Sequence, residues 1–211
     1  MYPNFEKLSK EKKQSILSIC IEEFGKTGFE KTSTDTITTR AGISKGILFH
    51  YFKNKKNLFL YVIDYCRQLI GNTLMEELEK LETDDFFERI KEVVLTKLRV
   101  QLKYSQETNL VANVLLNPPV GLKEEVQELL QKNVENYSDQ YLGKLLDPQL
   151  LKNHASPEKV VNLTMLALEQ ITQKYIALYQ NKRIEFEKLS EQMIPEIDEY
   201  IELIKYGCIE K

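Results

Sequence analysis

The 211-residue chain is 42% hydrophobic, holds only eight glycines and six prolines, and is rich in Leu, Glu, Lys and Gln with no alternating strand pattern; this predicts an all-α protein of one large or two small domains. Its apolar runs fall short of a membrane span, MYPNFEKLSKEKK lacks the apolar core of a signal peptide, and Cys20, Cys66 and Cys208 suit neither a disulfide framework nor a zinc cluster, so a soluble cytoplasmic protein with buried free thiols is expected. The net charge of −3 is unevenly divided: residues 1–60 carry 11 Lys and Arg against 6 Asp and Glu and the remainder 18 against 26, which points a polyanion toward the leading stretch.

Ser9 precedes a first helix whose Ile16, Leu17, Ile19, Cys20 and Phe24 share a face, and GKTG (Gly25–Gly28) ends it. Ser33 caps a short second helix with Asp35 in its first turn, where a carboxylate meets the positive end of the helix dipole. Ile37 and Ala41 point inward, Gly42 supplies a left-handed turn, and Ile43 plugs the corner. Ser44 caps a third helix that offers Ile47, Leu48 and Phe52 to the core. Helix, tight turn, helix is the helix-turn-helix arrangement. Asn54 caps a fourth helix with an apolar stripe (Leu58, Val62, Tyr65, Leu69, Ile70) that joins the two expected domains, 1–54 and 55–211.

Beyond it, DDFFERIKEVVLTKLRVQLKY is a helix opened by two aspartates, ETNLVANVLLN a shorter one stopped by Pro118 and Pro119, and LKEEVQELLQKNVENYSDQYLGKLL another, ended near Asp147 and Pro148. Ser156 and Pro157 start a long helix in which 13 of the 20 positions from Val160 to Tyr179 are apolar, so two of its faces need cover. A last helix of about 185–206 carries Ile194, Ile197, Ile201, Ile204 and Cys208 at alternating spacings of three and four, an a/d seam, with Pro195 bending it. Two such helices suggest a four-helix bundle between two copies of the chain, through Val160, Ala167, Ile171, Leu178, Ile194, Ile197, Ile201 and Ile204. The alternative is that both pack only on their own chain.

Gly28, Phe29, Thr32, Ser33, Ile37, Ala41, Gly42, Ile43, Ser44, Lys45, Gly46, Leu48, Phe49, Tyr51, Phe52, Asn54, Lys55 and Leu58 stand in one register over about 50 residues. In that pattern the chain resembles the TetR family of one-component bacterial transcription regulators. Two positions depart from it. Thr38 stands where the family usually has alanine, so either its methyl fits or its hydroxyl bonds back to a carbonyl one turn earlier. Phe49 replaces the usual tyrosine and loses a hydroxyl that often touches a phosphate.

A DNA-contact set follows from helix-end chemistry and the resemblance together. Ser33 and Thr34, then Ser44 and Lys45, start helices whose free N–H groups suit phosphate oxygens. Gly46 lets the third helix approach the groove closely, and Lys55 holds the backbone from the other side. Lys45 can donate to guanine, Ile47 or Phe49 can touch a thymine methyl if not in the core, and His50 and Tyr51 complete the face. Arg40 is a surface or phosphate-proximal charge.

The resemblance further implies about nine helices, a helical C-terminal domain that binds a small ligand and dimerises, and a repressor released from a palindromic double-stranded DNA operator. An apolar or amphipathic ligand would suit the bulky residues expected to converge there: Phe86, Phe87, Leu98, Leu102, Leu110, Val114, Tyr137, Tyr141, Met165, Leu168 and Tyr175. The same residues are also what plain core packing would use.

Catalysis lacks its parts: there are two histidines, His50 and His154, and no HExxH, GxSxG, P-loop or dinucleotide glycine pattern. No catalytic residue, metal site or cofactor is expected. A helical interaction module that kept the fold but lost DNA binding is a second class, disfavoured by Lys45 and Lys55. A ligand-dependent activator would share every feature of a repressor.

Overall fold

The computed structural model describes residues 2–131, 146–152, 155–181 and 186–208. Among them are ten α-helices and no strand: α1 (Pro3–Glu6), α2 (Lys10–Lys31), α3 (Thr34–Ala41), α4 (Lys45–Phe52), α5 (Lys55–Leu78), α6 (Phe86–Lys103), α7 (Ser105–Leu116), α8 (Lys123–Gln131), α9 (Pro157–Gln180) and α10 (Phe186–Cys208). No described helix is long and apolar enough to cross a membrane.

Side-chain oxygens take the free N–H groups that open these helices. Ser9, Ser33, Ser44 and Asn54 accept from Lys12, Asp35, Ile47 and Asn57, and Asp85 and Ser156 do the same for α6 and α9. The ends are equally local. Gly28 breaks α2 at φ 73°, ψ 171°, a conformation open in practice only to glycine, and the buried Thr32 hydroxyl ties the break, 2.6 Å from the Gly28 carbonyl and 2.8 Å from the Thr27 hydroxyl. Gly42 closes α3 at φ 62°; its N–H reaches the Thr39 carbonyl while that of Ile43 reaches Thr38, a Schellman pair. Thr38, 5% exposed, donates its hydroxyl back to the Asp35 carbonyl at 3.0 Å, which settles its place in the core.

The chain divides into two compact units, Met1–Thr73 with Val100–Val134 and Leu74–Arg99 with Glu135–Lys211. This differs from a division at residue 54. Leu58, Phe59, Val62, Ile63 and Cys66 of α5 bury themselves in the same cluster as Ile16, Leu17, Phe24, Ile37, Leu48 and Phe52, and Leu110, Val114, Leu122 and Val126 complete it. The boundary therefore falls inside α5. In the second unit α9 and α10 pack along their lengths, with Lys174 bonded to Glu196 at 2.6 Å across them, and α6 is tied to them by Lys91–Asp198 and Lys97–Glu169.

Cys20 and Cys66 lie in the first core, and burial pushes each thiol up to about 12. Both stay protonated and shielded at pH 8. An alkylating reagent should label neither in the folded protein and both after denaturation, as read by peptide mass spectrometry.

Candidate nucleic-acid interface

An eight-residue helix has too few hydrogen bonds to hold itself, so α4 lies where its burial puts it. Leu48 and Phe52, one turn apart, are both fully buried and define its inner face. Lys45, Gly46, Ile47 and His50 are then left outside. Ile47 was expected in the core; at 43% exposed it is on the outer face instead, because a residue adjacent to Leu48 is turned about 100° away from it. Phe49 is half-buried without joining the apolar cluster that takes Leu48 and Phe52. Tyr51 is half-buried against that cluster, its ring edge-on to Phe5 at 5.6 Å, and its hydroxyl has no partner among the described residues.

Electrostatic ties separate free cations from spent ones. Arg40 meets Glu22 and Glu23 at 2.6 Å each, which holds the Glu22 carboxyl below its usual range and makes Arg40 a strut between α3 and α2. Lys45 reaches Asp35 at 2.9 Å, an exposed pair that is weak and readily opened. Lys55 donates to the Glu30 carbonyl at 3.1 Å and sits 4.9 Å from the Phe29 ring centre, so in this state it fastens α5 to the end of α2. Ser33 is exposed and Thr34 half-buried at the start of α3, and Ser44 is exposed at the start of α4.

Two features escaped the sequence reading. Lys53, just after α4, is the single non-glycine residue with positive φ among those described (66°), and the Asn54 N–H reaches back to the Phe52 carbonyl at 2.8 Å around it. That is the strained form of the γ-turn. The FKNKK stretch offered no glycine to mark it. Second, α1 folds onto the α4 and α5 side chains: Phe5 is fully buried, with ring centres of Phe52, Tyr61 and Tyr51 at 4.8, 5.5 and 5.6 Å. Glu6 accepts from the Tyr61 hydroxyl and from Lys13, and the Tyr61 bond leads in holding its carboxyl below the usual range. Asn4 lies 3.0 Å from His50, amide nitrogen to Nε2. Pro3, a first-turn proline with Phe5 two residues on, was the available signal.

The residues expected to form one ligand pocket are divided between the two units. Leu110 and Val114 are core of the first unit, where they line a cavity of about 210 Å³ with Phe24, Phe29 and Phe59, and Leu102 belongs to that unit too. Phe86, Phe87, Leu98, Leu168 and Tyr175 are buried in the second unit and Met165 is half-buried there. The Tyr175 hydroxyl is already used, donating to the Gln192 carbonyl or the Glu196 carboxylate. Tyr137 and Tyr141 lie outside the described residues.

The expected dimer seam also needs correction. Val160, Ile171, Ile197 and Ile201 are at most 4% exposed, consumed by packing within their own chain, and Ala167, Leu178, Ile194 and Ile204 are half-buried. The outward apolar residues of these helices include Leu163, Leu166, Tyr200, Leu203 and Tyr206, 44 to 69% exposed.

Comparison with known proteins agrees with this geometry. Residues 16–62 match the family of bacterial regulatory proteins, tetR family. The HTH-type transcriptional regulator RutR of Escherichia coli K12 is 32% identical over 149 residues, 66% of this chain and 68% of RutR. The fatty acid metabolism regulator protein of Bacillus subtilis is 25% identical over 129 residues, 60% of each chain. A solved TetR family transcriptional regulator from Chloroflexus aurantiacus superposes with a TM-score of 0.68 at 18% identity, over 99% of this chain and 98% of that one.

The strained turn gives a test. Lys53→Gly relieves a positive φ worth about 1 kcal/mol or more, so its thermal midpoint should rise. If Lys53 also meets a phosphate, the same variant binds duplex DNA more weakly whatever the sequence, with a salt slope shallower by about one per contact.

Proposed function

The chain belongs to the TetR family of bacterial regulatory proteins and is a DNA-binding transcriptional regulator; from that premise we propose that it is a homodimeric repressor that a small ligand releases from a palindromic operator. One observation carries the reading of the DNA face. With Leu48 and Phe52 buried behind them, Lys45, Gly46, Ile47 and His50 form an exposed strip on one short helix, and a helix with such a strip is what a major groove admits.

The contacts divide by chemistry. The helix starts at Ser33–Thr34 and Ser44–Lys45 offer backbone N–H groups to phosphates. Tyr51, whose hydroxyl has no partner among the described residues, and the exposed Lys53 flank the strip as further phosphate ligands. Lys55 joins them once its ammonium leaves the Glu30 carbonyl. Lys45 must exchange Asp35 for DNA, a low-cost exchange for an exposed pair, and then reads guanine. Ile47 and Phe49 are placed for thymine methyl contact.

A dimer is supported by the apolar side chains that α9 and α10 leave uncovered among the described residues, beside a groove of about 350 Å³ lined by Lys159, Leu163, Tyr200, Leu203 and Ile204. Two copies bring two α4 strips to one duplex, which must lie about 34 to 36 Å apart to enter successive major grooves. For the effector we propose an apolar or amphipathic molecule held in the second unit near Phe86, Phe87, Leu98, Met165, Leu168 and Tyr175. The fatty acid metabolism regulator among its relatives supports that class. Such a ligand releases DNA only by binding the released state more tightly.

Two measurements test this. Affinity for a duplex selected from a randomised library should fall at least about tenfold between 50 and 200 mM salt, and absence of binding at low salt by a confirmed dimer would sink the reading. Leu166→Glu with Leu203→Glu should give a monomer by light scattering, with helicity retained and operator affinity reduced more than about tenfold, since each half-site is then held alone.

A further inference from the structure

The α1 segment lies ahead of the matched family region, residues 16–62, yet it is fixed to the DNA-facing elements at both of its ends. On one side Tyr2 packs on Phe52 and Tyr61 at 5.1 and 5.5 Å, and Phe5 is fully buried between Phe52, Tyr51 and Tyr61. On the other, Glu6 is held by Tyr61 and Lys13. Asn4 stands between these anchors, after a proline that fixes the backbone, so its Cα is held in place beside α4. Its side-chain amide is directed at His50, 3.0 Å from Nε2.

We propose that Asn4 is a positioning residue for DNA reading, which holds the His50 imidazole so that Nδ1 alone faces the nucleic acid. An exposed histidine on a short helix otherwise samples several rotamers and offers either ring nitrogen. In either tautomer the Asn4 amide has a matching partner for Nε2, through its nitrogen or, turned over, its oxygen. Nε2 is therefore engaged and Nδ1 is the edge left. With the amide nitrogen donating, the ring proton sits on Nδ1, and the group it recognises is a hydrogen-bond acceptor on the duplex, either a purine edge or a phosphate oxygen. The rotamer entropy of His50 is lost on folding instead of on binding, which strengthens the complex without adding a contact to DNA.

The inference rests on His50 facing DNA, and a double-mutant cycle on the full chain separates the two claims. Asn4→Ala, His50→Ala and the double variant are titrated by fluorescence anisotropy, at low salt, against the duplex the wild-type chain selects from a randomised library. Asn4→Ala should weaken binding about three- to tenfold with an unchanged melting temperature, and should cause no further loss in the His50→Ala background. Repeating the selection with Asn4→Ala distinguishes the acceptors: preference relaxed at the base pair that His50→Ala also relaxes identifies a purine edge, and uniform weakening identifies a phosphate. No loss with Asn4→Ala, or an equal loss in both backgrounds, overturns the positioning role. No loss with His50→Ala overturns the placement of His50 beneath it.

Discussion

Everything the DNA face can do depends on the burial of Leu48 and Phe52. The helix that carries them is eight residues long, and in isolation such a peptide would not be helical. Two fully buried side chains one turn apart fix both its position and its rotation, and rotation is what matters. A turn of 100° about the axis would exchange Ile47 for Leu48 and turn His50 inward to the place of the half-buried Tyr51. Phe5, Ile37, Leu58 and Val62 are the fixed wall against which that rotation is set, so residues from α1, α3 and α5 decide what α4 presents.

Around this apolar anchor the polar groups act mainly as geometry. The Schellman pair at Gly42, the Ser44 cap and the strained turn at Lys53 fix where α4 begins and ends. Arg40 ties α3 to α2 through two carboxylates, a use of its charge that removes it from the phosphate-binding set. Lys45 and Lys55 are held too, but by partners a polyanion can outcompete: an exposed carboxylate and a backbone carbonyl. On the proposed DNA face these two cations are thus held by ties that a polyanion would have to displace.

The sequence was legible wherever the signal was local. Caps at Ser9, Ser33, Ser44, Asn54 and Ser156, the stop at Gly42 and the proline stop after α7 are each written in one or two residues, and each appears where it was expected. What failed was the choice of partner. Ile47 and Leu48 are equally apolar, and only the tertiary wall selects between them. The unit boundary was missed because α5 runs on unbroken past residue 73, with no change of composition to show that its first part belongs to the first core. Nothing in MYPNFEK beyond its proline and two aromatics announces that Phe5 returns to a core made 50 residues later.

The last two helices show the same limit most sharply. Alternate spacings of three and four pick out a seam, and the seam at Ile197 and Ile201 exists, but spacing says nothing of whose helix fills it. Within the chain α9 packs along α10, and Val160 and Ile171 of α9 are buried. The informative feature is the excess: α9 has more apolar side chains than one neighbour can cover. Leu163 and Leu166 therefore remain outside, and α10 adds Tyr200, Leu203 and Tyr206 to the outward set. A surface for a second copy is thus read from the apolar residues that the intramolecular seam leaves over, after the regular seam has been assigned to the fold.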